Sequence, residues 1–308
     1  MRCGLKIAVI GCGFVGSTTA YTLLLEGLAS ELVLINRDKD EVMGHALDLK
    51  EGMEFMESSK VIFGSDYKLA KECDIIVITA GAHQEKKETR LDLISKNAKI
   101  FKNIIPKITQ YNKKAIMIIV TNPVDIMTYL ALKYSKYPKE RVFGTGTSLD
   151  TARLRCFLGN EINISPLNIH AYVLGEHGDS SFPVWSNASI SGTNIKHFDK
   201  VNKKVLDKVF SKTKNAAYEV ISKKGATYYA IALDICNIIK AIDHNSNRIL
   251  PVSTMLNNYH GLSGVCLSVP CIINSKGIDG VIKIELDSTE NEMLKRSYNV
   301  IKTALKNL

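Results

Sequence analysis

No apolar stretch in this 308-residue chain is long enough to cross a bilayer: runs such as Ala115–Val120 fall far short of the about 18–20 residues that a spanning helix needs. Disorder, collagen and coiled coil are also excluded, because hydrophobic residues reach 45% and charged residues only 23%. Cysteine is scarce and unpatterned. The seven (Cys3, Cys12, Cys73, Cys156, Cys236, Cys266 and Cys271) are odd in number, irregularly spaced and contain no C-x-x-C. They imply neither a disulfide framework nor a zinc site, and no metal is expected; they fit reduced intracellular thiols. Nor is a secretion signal expected. Arg2 and the residues after it could mimic one, but Lys6 interrupts the stretch and Gly11-Cys12-Gly13 falls where its apolar core should continue. A cytoplasmic location is predicted. Long basic runs are missing too. Lys and Arg outnumber Asp and Glu by 40 to 31, a formal charge of +9, yet the excess comes as scattered pairs such as Lys86-Lys87 and Lys223-Lys224. That pattern reads as a solvated surface, with small anionic substrates the next explanation; no nucleic acid and no membrane partner is expected.

What is present is length and alternation. At about 100–200 residues per domain, the chain holds two domains or one large one. Near-continuous apolar runs at Leu5–Ile10, Glu31–Asn36, Val61–Phe63, Asp74–Ala80 and Ala115–Thr121 read as strands covered on both faces. Helical stretches separate them at Ser17–Leu28, Glu41–Met56, Leu91–Tyr111 and Val124–Tyr134, and Pro106 should kink or interrupt the third. This alternation predicts an α/β fold with an N-terminal doubly wound parallel sheet. The second half reads as helices at Leu149–Leu158, Val201–Ser222, Tyr228–Ile242 and Ser288–Leu308, a short strand at Ile169–Val173, and antiparallel strands at Ile249–Leu256, Val265–Ile273 and Val281–Glu285. The boundary is placed near Gly144–Thr147, giving residues 1–144 and an α+β unit of residues 145–308.

Gly11-Cys12-Gly13-Phe14-Val15-Gly16 is G-x-G-x-x-G, following a predicted strand and opening a predicted helix. Gly11 permits a tight turn, Gly13 lets backbone approach a pyrophosphate, and Gly16 allows close helix–strand packing. The fingerprint expects an acid at the end of the second strand, on the adenosine ribose. Here Asn36 stands there, followed by Arg37. Asn36 can still bond a ribose but lacks the charge that repels a 2′-phosphate, which Arg37 could attract. NAD is therefore the expected cofactor, with weakened discrimination against NADP.

Four further segments carry chemistry: Ala80–Asp92, Val120–Asp125, Leu149–Arg153 and Leu174–Asp179. The first two follow predicted parallel strands, at the end where α/β sheets bind ligands. The others bring an Asp, an Arg and a His. Histidine is the natural proton donor near neutral pH, and arginine the planar clamp for a carboxylate. A dinucleotide, a proton donor and a carboxylate clamp together imply hydride transfer on a 2-hydroxy or 2-keto acid.

In this order and spacing, the segments resemble those of the L-lactate dehydrogenases, bacterial allosteric type, within the lactate/malate dehydrogenase superfamily; the likeness runs from the glycine loop to the C-terminal helix. The resemblance implies that His177 is the catalytic acid/base, that Asp150 holds its imidazole and raises its pKa, and that Arg153 clamps the substrate carboxylate. It implies that Arg90 closes over the substrate and polarises its carbonyl, that Asn122 bonds the substrate oxygen and the nicotinamide region, and that Thr227 makes a second carboxylate contact. Val15, Tyr67, Gly81, Ala82 and Val120 match positions lining the cofactor. Gln84 holds the position that usually carries glutamine for lactate and arginine for malate, so pyruvate is the expected substrate. Around it, His83, Glu85, Lys86 and Lys87 replace the Pro, Lys, Pro and Gly common in relatives, which leaves tolerance of larger keto acids open. Arg155 and His170 match the pair that binds fructose 1,6-bisphosphate at a subunit interface of homotetrameric relatives. Activation by that sugar phosphate, a homotetramer and a role in glycolytic pyruvate fermentation follow as expectations. A lactate-dehydrogenase-like malate dehydrogenase and a broader L-2-hydroxy acid dehydrogenase are the rival readings. A non-catalytic dinucleotide-binding scaffold is disfavoured by the intact Arg90, Asn122, Asp150, Arg153 and His177 set.

Overall fold

A computed structural model describes residues 4–82 and 89–308, and Arg90 by its backbone alone. The first half alternates: β1 (Leu5–Ile10), α1 (Phe14–Leu25), β2 (Ala29–Ile35), α2 (Lys39–Glu51), β3 (Lys60–Gly64), β4 (Ile75–Ile78), α3 (Arg90–Tyr111), β5 (Ile116–Ile119), α4 (Val124–Ser135) and β6 (Val142–Gly144). Every residue of β4 and β5 is buried. Helices cover both faces of a parallel sheet, so its central strands must be apolar throughout and show no alternation. The strands pair in parallel in the order β3-β2-β1-β4-β5-β6. Strand order reverses between β1 and β4, which opens a crevice at their carboxyl ends.

The second half comprises α5 (Ser148–Ile162), β7 (Ile169–Leu174), β8 (Phe182–Ile190), β9 (Thr193–Asn194), α6 (Lys203–Lys224), α7 (Tyr229–Asp243), β10 (Arg248–Met255), β11 (Cys266–Asn274), β12 (Gly277–Val281) and α8 (Ser288–Lys306). Its last three strands extend the first sheet. β10 meets β6 antiparallel through Ser253 and Gly144, so among the described residues one nine-stranded sheet runs β12-β11-β10-β6-β5-β4-β1-β2-β3. The smaller sheet, β7-β8-β9, has its own apolar cluster, with Leu154 and Leu158 of α5, Val173 and Ala188 of the strands, and Val209 of α6. This packing fixes α5 against β7, and those two elements carry the polar groups described below. Among the described residues, no helix is long and apolar enough to cross a membrane.

Three sequence expectations need correction. Pro106 lies inside an unbroken α3. Its ring is on the exposed side while Phe101, Ile104, Ile105 and Ile108 bury the opposite face, so apolar packing holds the helix through the missing hydrogen bond. The strand expected at Val281–Glu285 lies one segment earlier, at Gly277–Val281. Beyond it, Ile282 N donates once more to β11, at Pro270 O, and Ile284 N then donates to Ile282 O within its own segment. β6 and β8 were not anticipated, because β6 has only three residues and β8 carries Pro183, Ser186 and Asn187 within it.

Candidate active site

The three glycines of the first loop have distinct reasons to be glycine. Gly11 has φ +96°, and a side chain there would strike Ala80 at 2.6 Å. A side chain on Gly16 would strike the Gly11 carbonyl. A Cβ on Gly13, however, would meet no protein atom within 4 Å. Protein packing does not explain that glycine; room for a ligand against the backbone does. Gly13 is also the N-cap of α1, and among the described residues no side chain caps the helix. The helix therefore presents free N–H groups and its positive end to an anion. The residues fit a dinucleotide pyrophosphate.

Asn36 follows β2 and its Nδ2 donates to Glu41 Oε2 at 2.7 Å. Glu41 lies in the first turn of α2, whose N-terminus is capped by Asp38 accepting from Asp40 N and Glu41 N. A carboxylate thus sits beside the position where the fingerprint acid is missing, supplied five residues later. Its charge also reaches Cys12 inside the glycine loop, whose thiol burial first, and Glu41 second, push up to about 12. The sequence offered little sign of Glu41, an exposed acid on a polar helix face. Arg37 is exposed, and Val15 and Tyr67 are half-buried along the same edge.

The ends of β4 and β5 are joined by a residue the sequence reading passed over. Asn97, fully buried in α3, accepts from Ala82 N at 2.7 Å and donates to Asn122 O at 2.7 Å. Thr121 Oγ1 donates to Ala80 O at 2.8 Å. Gly81, Ala82, Val120 and Asn122 therefore form one braced edge of the crevice. α3 begins at Arg90, behind a capping box formed by Thr89 and Asp92. Gln84 lies outside the described residues, as do His83, Glu85, Lys86 and Lys87.

α5 and the loop after β7 assemble the charged cluster. His177 Nδ1 and Asp150 Oδ2 are 2.6 Å apart, and Arg153 Nη1 donates to Asp150 Oδ1 at 3.0 Å. Asp150 and Arg153 are three apart on one helix face, so a single carboxylate spans both cations. Asp125, buried in the first turn of α4, accepts from His177 N at 2.7 Å and from Ser253 Oγ at 2.6 Å. Asp125 thereby ties the His177 loop to the large sheet. Its one sequence signal was a charge in the otherwise apolar Val124–Met127 turn. Burial opposes the His177 cation, but the Asp150 carboxylate outweighs it, with Asp125 adding, and the pKa is raised. Burial likewise opposes the Asp150 anion, but His177 and then Arg153 hold it below its ordinary value. Thr227 is half-buried just before α7, and its neighbour Tyr228 stacks on Phe14 of the glycine loop at 5.3 Å between centroids. The lone tryptophan, Trp185, packs against the apolar cluster behind this region.

Arg155 and His170 lie on the outer side of the same unit. Arg155 Nε donates to Ala171 O at 3.0 Å, and its guanidinium lies 5.3 Å from the Tyr172 ring. His170 and Tyr172 share a face of β7, His170 exposed. Burial lowers the Arg155 pKa, and the charge of Arg248, from β10, adds to that.

Two family models match the chain in order. The lactate/malate dehydrogenase NAD binding domain covers residues 5–144, and the lactate/malate dehydrogenase alpha/beta C-terminal domain covers residues 147–308. The L-lactate dehydrogenase of Clostridium botulinum (strain Loch Maree / Type A3) is 47% identical, covering 98% of this chain and 96% of its own length. That of Acetivibrio thermocellus is 45% identical, covering 98% and 97%. Among solved structures, the minor L-lactate dehydrogenase of Enterococcus mundtii superposes with a TM-score of 0.96 at 36% identity, covering 99% of this chain and 98% of its own. A lactate dehydrogenase from a Medee basin deep-sea metagenome library gives 0.95 at 40% identity, covering 99% of both chains. With both halves matched in order and relatives approaching half identity along the whole chain, this protein belongs to the lactate/malate dehydrogenase family.

Proposed function

We propose that this protein is an NAD-dependent L-lactate dehydrogenase, reducing pyruvate to L-lactate and running in reverse. The observation that carries this reading is His177 held 2.6 Å from Asp150, with Arg153 on the same carboxylate. Residues 1–144 hold the dinucleotide, and residues 145–308 supply the proton donor and carboxylate clamp. Bound NADH supplies the hydride that reaches the keto carbon. The protein supplies everything else. Arg153 pairs with the substrate carboxylate, with Thr227 beside it. Nδ1 of His177 is engaged by Asp150, so Nε2 delivers the proton to the keto oxygen. Asn122 bonds that oxygen, and Arg90 polarises the carbonyl as its negative charge grows. The raised pKa extends to higher pH the range in which His177 carries its proton, so reduction is favoured below that pKa and lactate oxidation above it. NADH oxidation with pyruvate, oxaloacetate and phenylpyruvate in parallel tests the assignment. Pyruvate should lead; an oxaloacetate preference would make the protein a malate dehydrogenase instead.

The Asn36–Glu41 pair bears on cofactor choice. Arg37 favours a 2′-phosphate and Glu41 opposes one, so the discrimination against NADP that Asn36 weakens is partly restored. Glu41→Gln should raise kcat/KM with NADPH by about tenfold, the factor for a charge–charge interaction of about 1.4 kcal/mol, and leave NADH within about threefold. An unchanged ratio of the two cofactors would remove Glu41 from the specificity argument.

The regulatory reading rests on Arg155, His170 and Arg248, basic side chains at one edge of the second unit. Fructose 1,6-bisphosphate should lower the half-saturating pyruvate concentration, measured from about pH 5.5 to about pH 7.5. A half-saturation that ignores the sugar phosphate across that range would eliminate the site. The same reading places the protein in the cytoplasm, as a homotetramer serving glycolytic pyruvate fermentation.

A further inference from the structure

A carboxyl group that this mechanism does not use lies buried behind the substrate clamp. Asp234, in α7, is 8% exposed. Its Oδ1 accepts from Ser148 Oγ at 2.6 Å, and its Oδ2 is buried without a hydrogen-bond partner. Ser148 is the first residue of α5, the helix that carries Asp150 and Arg153. The charged groups facing Asp234 are Asp150 and Arg153 from α5 and His177 from the loop after β7. α1 and β11 also pack on α7. Neither contains a charged residue; their titratable groups are the exposed Tyr21 and the buried thiols Cys266 and Cys271, both pushed up by burial.

A buried carboxylate with an oxygen left unpaired is costly, and the cheaper state carries a proton there. Burial accordingly pushes Asp234 up to about 7; Ser148 opposes the rise, Asp150 adds to it, and His177 and Arg153 oppose it. The charge count then decides what each state does. Of the groups facing Asp234, Asp150 is negative while His177 (protonated for reduction) and Arg153 are positive, so these three carry one net positive charge, which a single substrate carboxylate balances. An ionised Asp234 cancels that charge before substrate arrives and leaves the filled site with one negative charge in excess.

We propose that Asp234 is a proton-holding positioning residue for the substrate clamp: neutral, it leaves the full Arg153 charge to the substrate carboxylate; ionised, it opposes that carboxylate and raises the KM for pyruvate. This rests on Arg153 acting as the carboxylate clamp. By linkage, a bound carboxylate raises the affinity of Asp234 for its proton, so substrate binding takes a proton up. The ionised form grows as pH rises, and the loss of affinity therefore falls on the alkaline side.

The test is kcat and KM for pyruvate at saturating NADH, from about pH 5.5 to about pH 9, so that both Asp234 and His177 titrate. In the unaltered protein KM should climb in two steps, one for each group. Asp234→Asn stays neutral and still accepts from Ser148, so it should keep only the His177 step. Asp150 and Asp125 chiefly govern that step, and losing the Asp234 charge can move it only to lower pH. At about pH 8.5 the variant's KM should be about three- to tenfold lower than that of the unaltered protein, with kcat unchanged. Ser148→Ala removes the hydrogen bond that favours the ionised form, so it should move the Asp234 step to higher pH; it decides the matter if Asp234→Asn does not fold. Parallel KM profiles in all three proteins, or a change in kcat alone, would overturn the role of Asp234. A complete lack of pyruvate turnover by the unaltered protein would overturn the pyruvate reading itself.

Discussion

Asp150→Asn should lower kcat/KM for pyruvate reduction by about 10³- to 10⁴-fold, the loss seen when an orienting carboxylate is replaced beside a catalytic imidazole. The geometry explains the size. Asp150 Oδ2 lies 2.6 Å from Nδ1 of His177, fixing which nitrogen faces Asp150 and stabilising the ring as a cation. An Asn amide can present its N–H to Nδ1 and so favour the wrong tautomer. Arg153 also loses the charge that holds its guanidinium. The pH profile separates these effects from simple misfolding. In the unaltered protein burial lowers the His177 pKa, but Asp150 outweighs burial, so the ring holds its proton to higher pH than a free imidazole and the reductive rate is lost as pH rises through the raised value. Without the Asp150 charge, burial prevails, and the break in kcat/KM should move to lower pH. His177→Asn should abolish the break and leave only residual turnover, since general acid catalysis alone contributes about 10²–10⁴. A break that stays in place in Asp150→Asn would mean that Asp150 does not set the charge of His177.

Much of this site could be read before any coordinates, and the reason is local. His177, Asp150 and Arg153 stand in short segments where a charged residue has few structural reasons to be, and Gly11, Gly13 and Gly16 are spaced by the turn they make. The parallel sheet was legible because β1, β2, β4 and β5 are covered on both faces and must be apolar along their length. What escaped was whatever acquires its meaning from a distant part of the chain. Asn97 is an unremarkable helix residue until α3 sets it between Ala82 and Asn122. Asp125 gains its role only where His177 and Ser253 reach it, 52 and 128 residues later. Asp234 is one acid on an amphipathic helix until α5 closes over it. Glu41 reads as a solvated helix charge until Asn36 turns its amide toward it. The misplaced strand at Val281–Glu285 has the same origin. Its alternation resembles a strand, but pairing with β11 is taken by the residues just before it.

Gln84→Arg should invert substrate choice, and it is the change with the widest expected swing. The chain has a neutral side chain at this position, and a neutral side chain can face the methyl group of pyruvate. Oxaloacetate would place a second carboxylate there with no cation to meet it. Leaving such a charge buried and unpaired costs several kcal/mol, and about 3 kcal/mol is already a factor of about a hundred in kcat/KM. An arginine reverses both signs: it pairs with the second carboxylate of oxaloacetate and becomes the unpaired charge when pyruvate is bound. The two effects multiply, so the ratio of kcat/KM for the two acids should move by about 10⁴. In the proposed mechanism the arginines that remain, Arg90 and Arg153, serve the carbonyl and the first carboxylate, groups that both substrates share, so they should not mask the swing. Parallel measurements with pyruvate and oxaloacetate on both proteins decide the matter. If oxaloacetate turnover does not rise in Gln84→Arg, residue 84 does not face the substrate side chain, and specificity must come from elsewhere in the site.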